Sequence, residues 1–78
     1  MEQFKNKDIG DCVLLERKKD IYLIGILDSK PGFAQYAVLR RYTYGDKDYW
    51  VDGDYFHTLT QALSEFNDRI SEEFKLEV

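Results

Sequence analysis

The sequence is poor in residues that cross-link chains or bind metals. Its 78 residues include one cysteine, Cys12, and one histidine, His57. A single thiol cannot form a disulfide within the chain, and this pair is too small for a Cys/His metal site in one chain. Cys12 opens the apolar run of "GDCVLL", so we interpret it as a small buried hydrophobe rather than a reactive thiol. The sequence predicts no metal and no cofactor.

Long hydrophobic runs are also absent. The longest apolar stretch, Ile21 to Leu27, is far below the roughly 20 residues that a membrane-spanning helix needs. The N-terminal "MEQFKNKDIGD" lacks the apolar core of a secretory signal. With 44% hydrophobic and 33% charged residues, the chain has the composition of a folded globular protein. We expect a single soluble domain over residues 1–78, cytoplasmic and without membrane contact.

Glycine and the only proline predict where the chain turns. Pro31-Gly32 suits the two central positions of a type II turn, since proline presets φ and glycine accepts a positive φ. Polar breaks at residues 18–20 and at Gly45 to Asp48 predict two further turns. The segments between these turns are rich in β-branched and aromatic residues. They predict two hairpins in succession, with the third strand beginning near Phe33.

The last third of the chain has the period of a helix. Thr58 and Gln61 match a capping box at its start. Carboxylates at residues 65, 68 and 72 form an acidic stripe on its outer face. Apolar residues recur at steps of three and four and therefore share one face: Leu59, Ala62, Leu63, Phe66, Ile70 and Phe74.

The predicted fold is α+β, a four-stranded antiparallel meander (ββββ) packed by one C-terminal amphipathic helix. A sheet covered on one face should alternate between apolar and polar residues, but residues 21–27 are apolar on both parities. A bulge at Gly25 would switch the parity. Otherwise the sheet curls into a half-barrel, or its second face is covered. The N-terminal segment with Phe4 and Ile9, a second copy of the chain, or a foreign partner could provide that cover.

Catalytic chemistry has little support in the sequence. His57 precedes the helix, with no cysteine or serine nucleophile motif near it. Asp46, Asp48, Asp52 and Asp54 lack the spacing of a calcium-binding loop, so we assign them to turns and solvent-facing strand positions. The glycines form no phosphate-binding run. We predict that the protein is not an enzyme.

Binding to another protein fits the sequence better. The stretch "RRYTYGDKDYW" concentrates tyrosine, tryptophan and arginine, the residue types that anchor interfaces. The acidic stripe of Glu65, Asp68 and Glu72 is either a second contact surface, suited to a basic groove, or an ordinary solvated helix face. The predicted partner-binding residues are Arg40, Arg41, Tyr42, Tyr44, Tyr49 and Trp50.

Two alternatives use the same strands. Sheet aromatics beside arginines could stack the bases of single-stranded nucleic acid. A net charge of −4 makes nucleic acid the less favoured partner. Self-association through the second face of the sheet, around Ile24 and Ile26, is the other alternative, and it predicts a homodimer.

The run "DGDYFHTLTQALSEFNDRI", residues 52–70, resembles the ending of small uncharacterised proteins from phages and mobile elements of Gram-positive bacteria. The shared pattern is a strand ending in Tyr-Phe, a short gap, and a helix with Ala-x-x-x-Phe-x-x-Arg. It covers about a quarter of the chain. The resemblance implies an accessory protein that acts by binding, for instance an inhibitor of a host defence nuclease of the anti-CRISPR type.

Overall fold

The chain folds as five antiparallel strands followed by one helix. The computed structural model describes residues 2–74, except for the side chain of residue 74. The α+β class, the antiparallel sheet and the C-terminal helix are confirmed, whereas the count of four strands is wrong. The strands follow one another across the sheet in chain order. The elements are β1 Gln3–Asn6, β2 Gly10–Lys18, β3 Ile21–Ile26, β4 Tyr36–Tyr44, β5 Lys47–Phe56 and α1 Leu59–Phe74.

The additional strand is β1, with the sequence QFKN. Phe4 is its only apolar residue, so the segment shows no period by which a strand could be recognised. Phe4 lies opposite Cys12 of β2. The buried side chain of Asn6 accepts hydrogen bonds from the backbone N–H groups of Asp8 and Ile9, at 2.8 and 3.3 Å. This Asx turn starts the β1–β2 hairpin.

Two-residue turns join β2 to β3 and β4 to β5, and both lie within the segments predicted to turn. They consist of Lys19-Asp20 and Gly45-Asp46. Lys19 and Gly45 have φ values of 53° and 66°, in the left-handed region used by the turns that match the twist of paired strands. In an antiparallel meander these two turns lie at the same end of the sheet, opposite the β1–β2 and β3–β4 connections.

The longer β3–β4 connection contains the predicted Pro31-Gly32 turn. Gly32 has a φ of 88°, and the Phe33 N–H donates to the carbonyl of Lys30 at 3.0 Å, as a type II turn requires. The next strand starts at Tyr36 rather than near Phe33, because the chain needs three further residues to reach the edge of β3. Phe33 is left 66% exposed in the loop.

Both faces of β3 are buried, and the alternation does not change at Gly25. Gly25 pairs with Val13 on one side and with Tyr36 on the other, in regular register. The register shifts instead between Leu14 and Glu16 in β2, and again where β4 meets β5. A bulge at Gly25, one of the alternatives that the sequence left open, is therefore absent, and the apolar residues on both parities belong to two separate cores.

The sheet curls into a half-barrel that brings its edge strands together. The rings of Phe4 on β1 and Trp50 on β5 stack with centroids 5.4 Å apart and planes 6° apart. In a flat five-stranded sheet, at about 4.8 Å per strand, the two strands would be about 19 Å apart. We call the face within the curl the inner face. Its buried residues are Cys12, Tyr22, Ile24, Ala37 and Leu39, with Phe4, Ile9, Leu14, Ile26 and Trp50 packed against them.

The chain thus covers the second face of its own sheet. Two of the covers considered from the sequence contribute to this, curling of the sheet and the N-terminal segment. Phe4 and Ile9 of that segment both pack against the inner core. Ile24 is fully buried there, and Ile26 is half-buried. The apolar surface from which we inferred a homodimer is therefore occupied within the described residues.

Helix α1 covers the other face, which we call the helix-side face, over β3, β4 and β5. Ala62 and Phe66 are buried against Ile21, Leu23 and Val38. The Gln61 N–H donates to Thr58 Oγ1 at 3.2 Å, which confirms Thr58 as the N-cap. Leu59 and Leu63, which the periodicity assigned to the packed face, remain partly exposed on its flank. The predicted contact of Phe74 lies outside the described side chains.

Candidate functional site

The β4–β5 hairpin carries all six predicted partner-binding residues, but it divides them between two faces. Directly opposed residues of an antiparallel pair share a face, and successive pairs alternate. Tyr42 lies opposite Tyr49, whereas Arg41 lies opposite Trp50. Arg40, Tyr42, Tyr44 and Tyr49 therefore lie on the helix-side face, and Arg41 and Trp50 lie on the inner face. The six residues do not form one continuous platform.

Trp50 and Arg41 are engaged inside the protein. Trp50 stacks on Phe4 and meets the ring of Tyr22 edge-on, with centroids 5.2 Å apart. The Arg41 guanidinium lies 5.6 Å from the Tyr22 ring centroid and 5.2 Å from that of Trp50. It also donates to the Tyr22 hydroxyl at 3.2 Å and to Asp48 at 2.6 Å. These side chains close the half-barrel.

Asp48 is fixed by two donors on the inner face. Besides Arg41, the Thr43 hydroxyl donates to it at 3.0 Å. The hydrogen bond from Arg41, followed by that from Thr43, lowers the pKa of Asp48 below its ordinary value. The same hydrogen bond raises the pKa of Arg41. Asp48 is therefore an ion-pair partner of Arg41, and its side chain remains 40% exposed to solvent.

Arg40 joins the helix to the sheet. Its guanidinium donates two hydrogen bonds to Glu73 of α1, at 3.0 and 2.9 Å, and one to Asp20 of the β2–β3 turn at 3.0 Å. Asp52 lies 3.7 Å from its Nε. The side chain is only 16% exposed. The hydrogen bonds from Arg40 lower the pKa of Glu73. Arg40 therefore has little surface left with which to contact a partner.

Three tyrosines remain available on the helix-side face of the hairpin. Tyr42 is 49% exposed, Tyr44 81% and Tyr49 42%, and the neighbouring Val51 is 37% exposed. The hairpin extends beyond Arg40, so its tip is not covered by the helix packing described above. We call these four residues the tyrosine face. It is the part of the predicted site that presents apolar and aromatic surface to solvent.

One carboxylate of the acidic stripe of α1, Glu65, is paired within the chain. Glu65 accepts a hydrogen bond from Arg69 at 2.8 Å, and Arg69 also donates to Asp54 at 2.6 Å and to the Asp52 carbonyl at 2.7 Å. Burial lowers the pKa of Arg69, but the hydrogen bonds to Glu65 and Asp54 outweigh that effect and raise it. Asp68, like Glu72, is exposed on the outer surface of the helix.

The residues considered for catalysis have ordinary surroundings. Cys12 is fully buried, as expected, and burial raises the pKa of its thiol. His57 is exposed in the short connection before α1. Asp46 belongs to the β4–β5 turn, whereas Asp54 pairs with Arg69. Within residues 2–74, no three His, Cys, Asp or Glu side chains are grouped so that they could hold a metal ion.

Sequence reasoning missed an apolar cleft at the opposite end of the half-barrel. It has a volume of about 330 Å³, and Phe33 and Tyr55 are its most exposed apolar walls. Phe33, directly after a Pro-Gly turn in a polar segment, was the available signal, because an aromatic ring in such a loop has no strand neighbour to cover it. The lining residues are Ile9, Ile26, Asp28, Ser29, Lys30, Phe33, Ala34 and Tyr55.

Comparisons of the sequence with protein-family models and with curated proteins, and of the fold with solved structures, found no match. The helix of the described chain is too short and too polar to cross a membrane. The fold and the surface therefore define a class only: a small α+β half-barrel with an exposed tyrosine hairpin.

Proposed function

We propose that the protein is a non-enzymatic binding module that contacts another protein through the tyrosine face. The observation that carries this proposal is the exposure of Tyr42, Tyr44 and Tyr49 on one side of a braced hairpin. Tyrosine anchors interfaces because it buries a large amphipathic surface and loses little side-chain entropy. The internal contacts of Arg41 and Trp50 hold the hairpin rigid, which lowers the entropic cost of binding.

The biological role that we propose is inhibition of a host defence nuclease by a phage or mobile-element accessory protein. It rests on the resemblance of residues 52–70 to such proteins. An inhibitor of this kind needs no catalytic group, since it acts by occupying the surface that its target uses. The small size, the acidic composition and the exposed hairpin are compatible with that mode of action.

Affinity capture from a lysate of a Gram-positive host tests the proposal. The immobilised proteins are the wild type, the double variant Tyr42→Ala with Tyr44→Ala, and Phe33→Ala as a matched control. Phe33 is an exposed aromatic residue in the apolar cleft, at the other end of the molecule. We expect the double variant to lose the captured protein while it retains the wild-type circular dichroism spectrum. The control should bind as the wild type does.

If Phe33→Ala loses the captured protein while the tyrosine double variant retains it, the contact lies at the apolar cleft. Equal capture by all three proteins would remove the tyrosine face from the interface altogether. A labelled oligonucleotide titration in a salt series tests the stacking alternative, because a nucleic-acid binder would bind at low salt and lose affinity steeply as salt increases. We expect no binding at any salt concentration.

A further inference from the structure

The net charge of the protein is concentrated beside the tyrosine face. Seven carboxylates, two guanidiniums and the ammonium of Lys19 lie around the junction of α1 with β4, β5 and the β2–β3 turn, which gives this region a net of four negative charges. The net charge of the whole chain is also −4, so all other residues together are neutral. We call this region the acidic border. It comprises Asp20, Asp52, Asp54, Glu65, Asp68, Glu72 and Glu73, with Lys19, Arg40 and Arg69.

Both arginines of the acidic border are paired with carboxylates. Arg40 binds Glu73 and Asp20, and Arg69 binds Glu65 and Asp54. Their side chains are 16% and 14% exposed. They therefore hold the region together and present little positive charge to solvent, whereas the side chain of Asp52 is 69% exposed. The excess of negative charge remains at the surface.

The acidic border and the tyrosine face are contiguous. Arg40, which touches Glu73 at the end of the helix, lies opposite Val51 of the tyrosine face. Tyr42 follows Arg40 by two residues on the same face of β4, a distance of about 7 Å. A partner that covers Tyr42 and Tyr49 would therefore also approach these carboxylates.

Aromatic rings next to carboxylates match the chemistry of arginine. A guanidinium stacks on aromatic faces and forms forked hydrogen bonds with a carboxylate, whereas a lysine ammonium is a compact, strongly hydrated charge. The same hairpin contains an internal example of this match. On its inner face, Arg41 lies over Tyr22 and Trp50 and donates to Asp48.

We propose that the tyrosine face, with its acidic border, docks into an arginine-rich groove with which a partner protein binds nucleic acid. This inference rests on the proposed function and adds the chemistry of the partner to it. Clusters of arginine on protein surfaces are typical of phosphate-binding grooves, whose positive potential attracts a negative surface. The protein would then exclude nucleic acid from its target by occupying the groove.

The first test uses two defined probes, fluorescein-labelled nona-arginine and nona-lysine peptides, in anisotropy titrations at low salt. We expect the arginine peptide to bind more tightly. Tyr42→Leu with Tyr44→Leu should remove that preference, because leucine preserves apolar surface and removes the rings. Equal affinity for the two peptides, or a preference that survives in this variant, would overturn the match to arginine.

Two charge-neutralising variants test the acidic border in the same titration. Asp68→Asn with Glu72→Gln should weaken binding of the arginine peptide about tenfold. Asp8→Asn with Asp11→Asn removes the same number of charges from exposed positions at the end of the sheet that carries the β1–β2 turn and should leave binding within about twofold of the wild type. Equal losses in the two variants would show that only the total charge matters and would contradict docking at this border.

The second test asks whether the partner surface is a nucleic-acid groove. The wild-type capture experiment is repeated with excess duplex DNA and, separately, with excess single-stranded RNA. Release of the captured protein by either competitor supports the inference. Retention of a protein whose capture depends on Tyr42 and Tyr44 would overturn this inference and leave the proposed function standing. If the double variant of Tyr42 and Tyr44 captures the protein as well as the wild type does, the proposed function is contradicted. Capture of a second copy of the chain would assign the tyrosine face to self-association.

Discussion

Strand alternation places two adjacent arginines of the β4–β5 hairpin on opposite faces of the sheet. Arg40 and Arg41 read in the sequence as one basic pair, yet their side chains lie on opposite faces of β4. Arg40 binds Glu73 and Asp20 on the helix side, whereas Arg41 lies between Tyr22 and Trp50 on the inner side. Neither is a free surface cation. The identity of each residue as arginine predicts that it binds carboxylates or aromatic rings. The position of each arginine in β4 determines which of these groups it contacts.

Phe4 should be the residue by which β1 contributes most to stability. Phe4→Ala removes the stack on Trp50, and we expect it to lower the free energy of unfolding by about 2 kcal/mol, less than for a fully buried phenylalanine. Phe33→Ala, at an exposed site, should cost less than about 0.5 kcal/mol. Urea denaturation of the two variants checks this difference. Equal losses would mean that the stack does not close the half-barrel.

Gly53 should resist any side chain. A Cβ atom built there would lie 2.6 Å from Leu39 Cδ2 and 3.2 Å from the Tyr55 hydroxyl. Leu39 is buried in the inner core and has little room to move, so Gly53→Ala should cost about 1 to 3 kcal/mol of unfolding free energy. Gly45→Ala meets no atom within 4 Å but has a φ of 66°, so its cost should come from backbone strain, about 1 kcal/mol. Thermal denaturation measures both losses, and a Gly53→Ala variant as stable as the wild type would contradict the close contact with Leu39.

At the scale of elements, the helix was the most predictable part and β1 the least. Periodicity identified the start of α1 and the burial of Ala62 and Phe66, because a helix that packs on one face has to repeat at its own period. The segment QFKN has one apolar residue, and only its contact with a strand distant in sequence makes it part of the sheet. Alternation within β4 and β5 already separates Arg40 from Arg41. Only the register across the β4–β5 turn determines which rings share a face.

The N-cap of α1 provides a direct test of the start of the helix. Thr58→Ala removes the acceptor of the Gln61 N–H, and we expect a loss of about 1 kcal/mol in unfolding free energy. Thr60→Ala makes the same chemical change at the second residue of the helix, where alanine favours helix formation. It should be neutral or slightly stabilising. If both substitutions destabilise the protein equally, the helix does not begin where the structure has it.

The ion pair between helix and sheet should make stability depend on pH. Because Arg40 lowers the pKa of Glu73 in the folded protein, this contribution is complete above the unfolded glutamate pKa, about 4.3. It is lost as the pH falls through the lower folded value. The melting temperature should therefore fall as the protein is acidified below about pH 5.

Glu73→Gln isolates this contribution. The variant should melt at a lower temperature than the wild type at neutral pH, and the gap should narrow as the pH falls below the unfolded glutamate pKa and through the lower folded pKa of Glu73. Glu16→Gln, an exposed glutamate of β2, is the matched control and should follow the wild-type curve. A constant gap between the Glu73→Gln and wild-type curves would contradict the role of this ion pair.

At the scale of the whole molecule, the half-barrel explains how so short a chain buries both faces of a sheet. The helix covers one face and curling covers the other. The apolar residues on both faces of β3 are therefore buried without a second molecule. The sequence raised curling and the N-terminal segment among several covers but could not select between them. What distinguishes these covers is a contact between the two edge strands of the sheet, the stack of Phe4 on Trp50.

Removal of residues 1–7 should expose the inner face. Without β1, the core around Cys12, Leu14 and Trp50 loses its cover, and we expect the shortened protein to bind a hydrophobic dye and to associate in light scattering. Full-length protein should do neither. A shortened protein that stays monomeric and dye-negative, with wild-type stability, would show that β1 is dispensable for the fold.

The tyrosine face should contact a partner while the inner face of the same hairpin stays internal. Hydrogen–deuterium exchange of the complex with the captured protein, compared with the free chain, tests it most directly. We predict new protection of backbone amides at residues 42–51, around the tip of the β4–β5 hairpin, and in the last two turns of α1. New protection confined to residues 27–35, around the apolar cleft, with none at the hairpin, would contradict it.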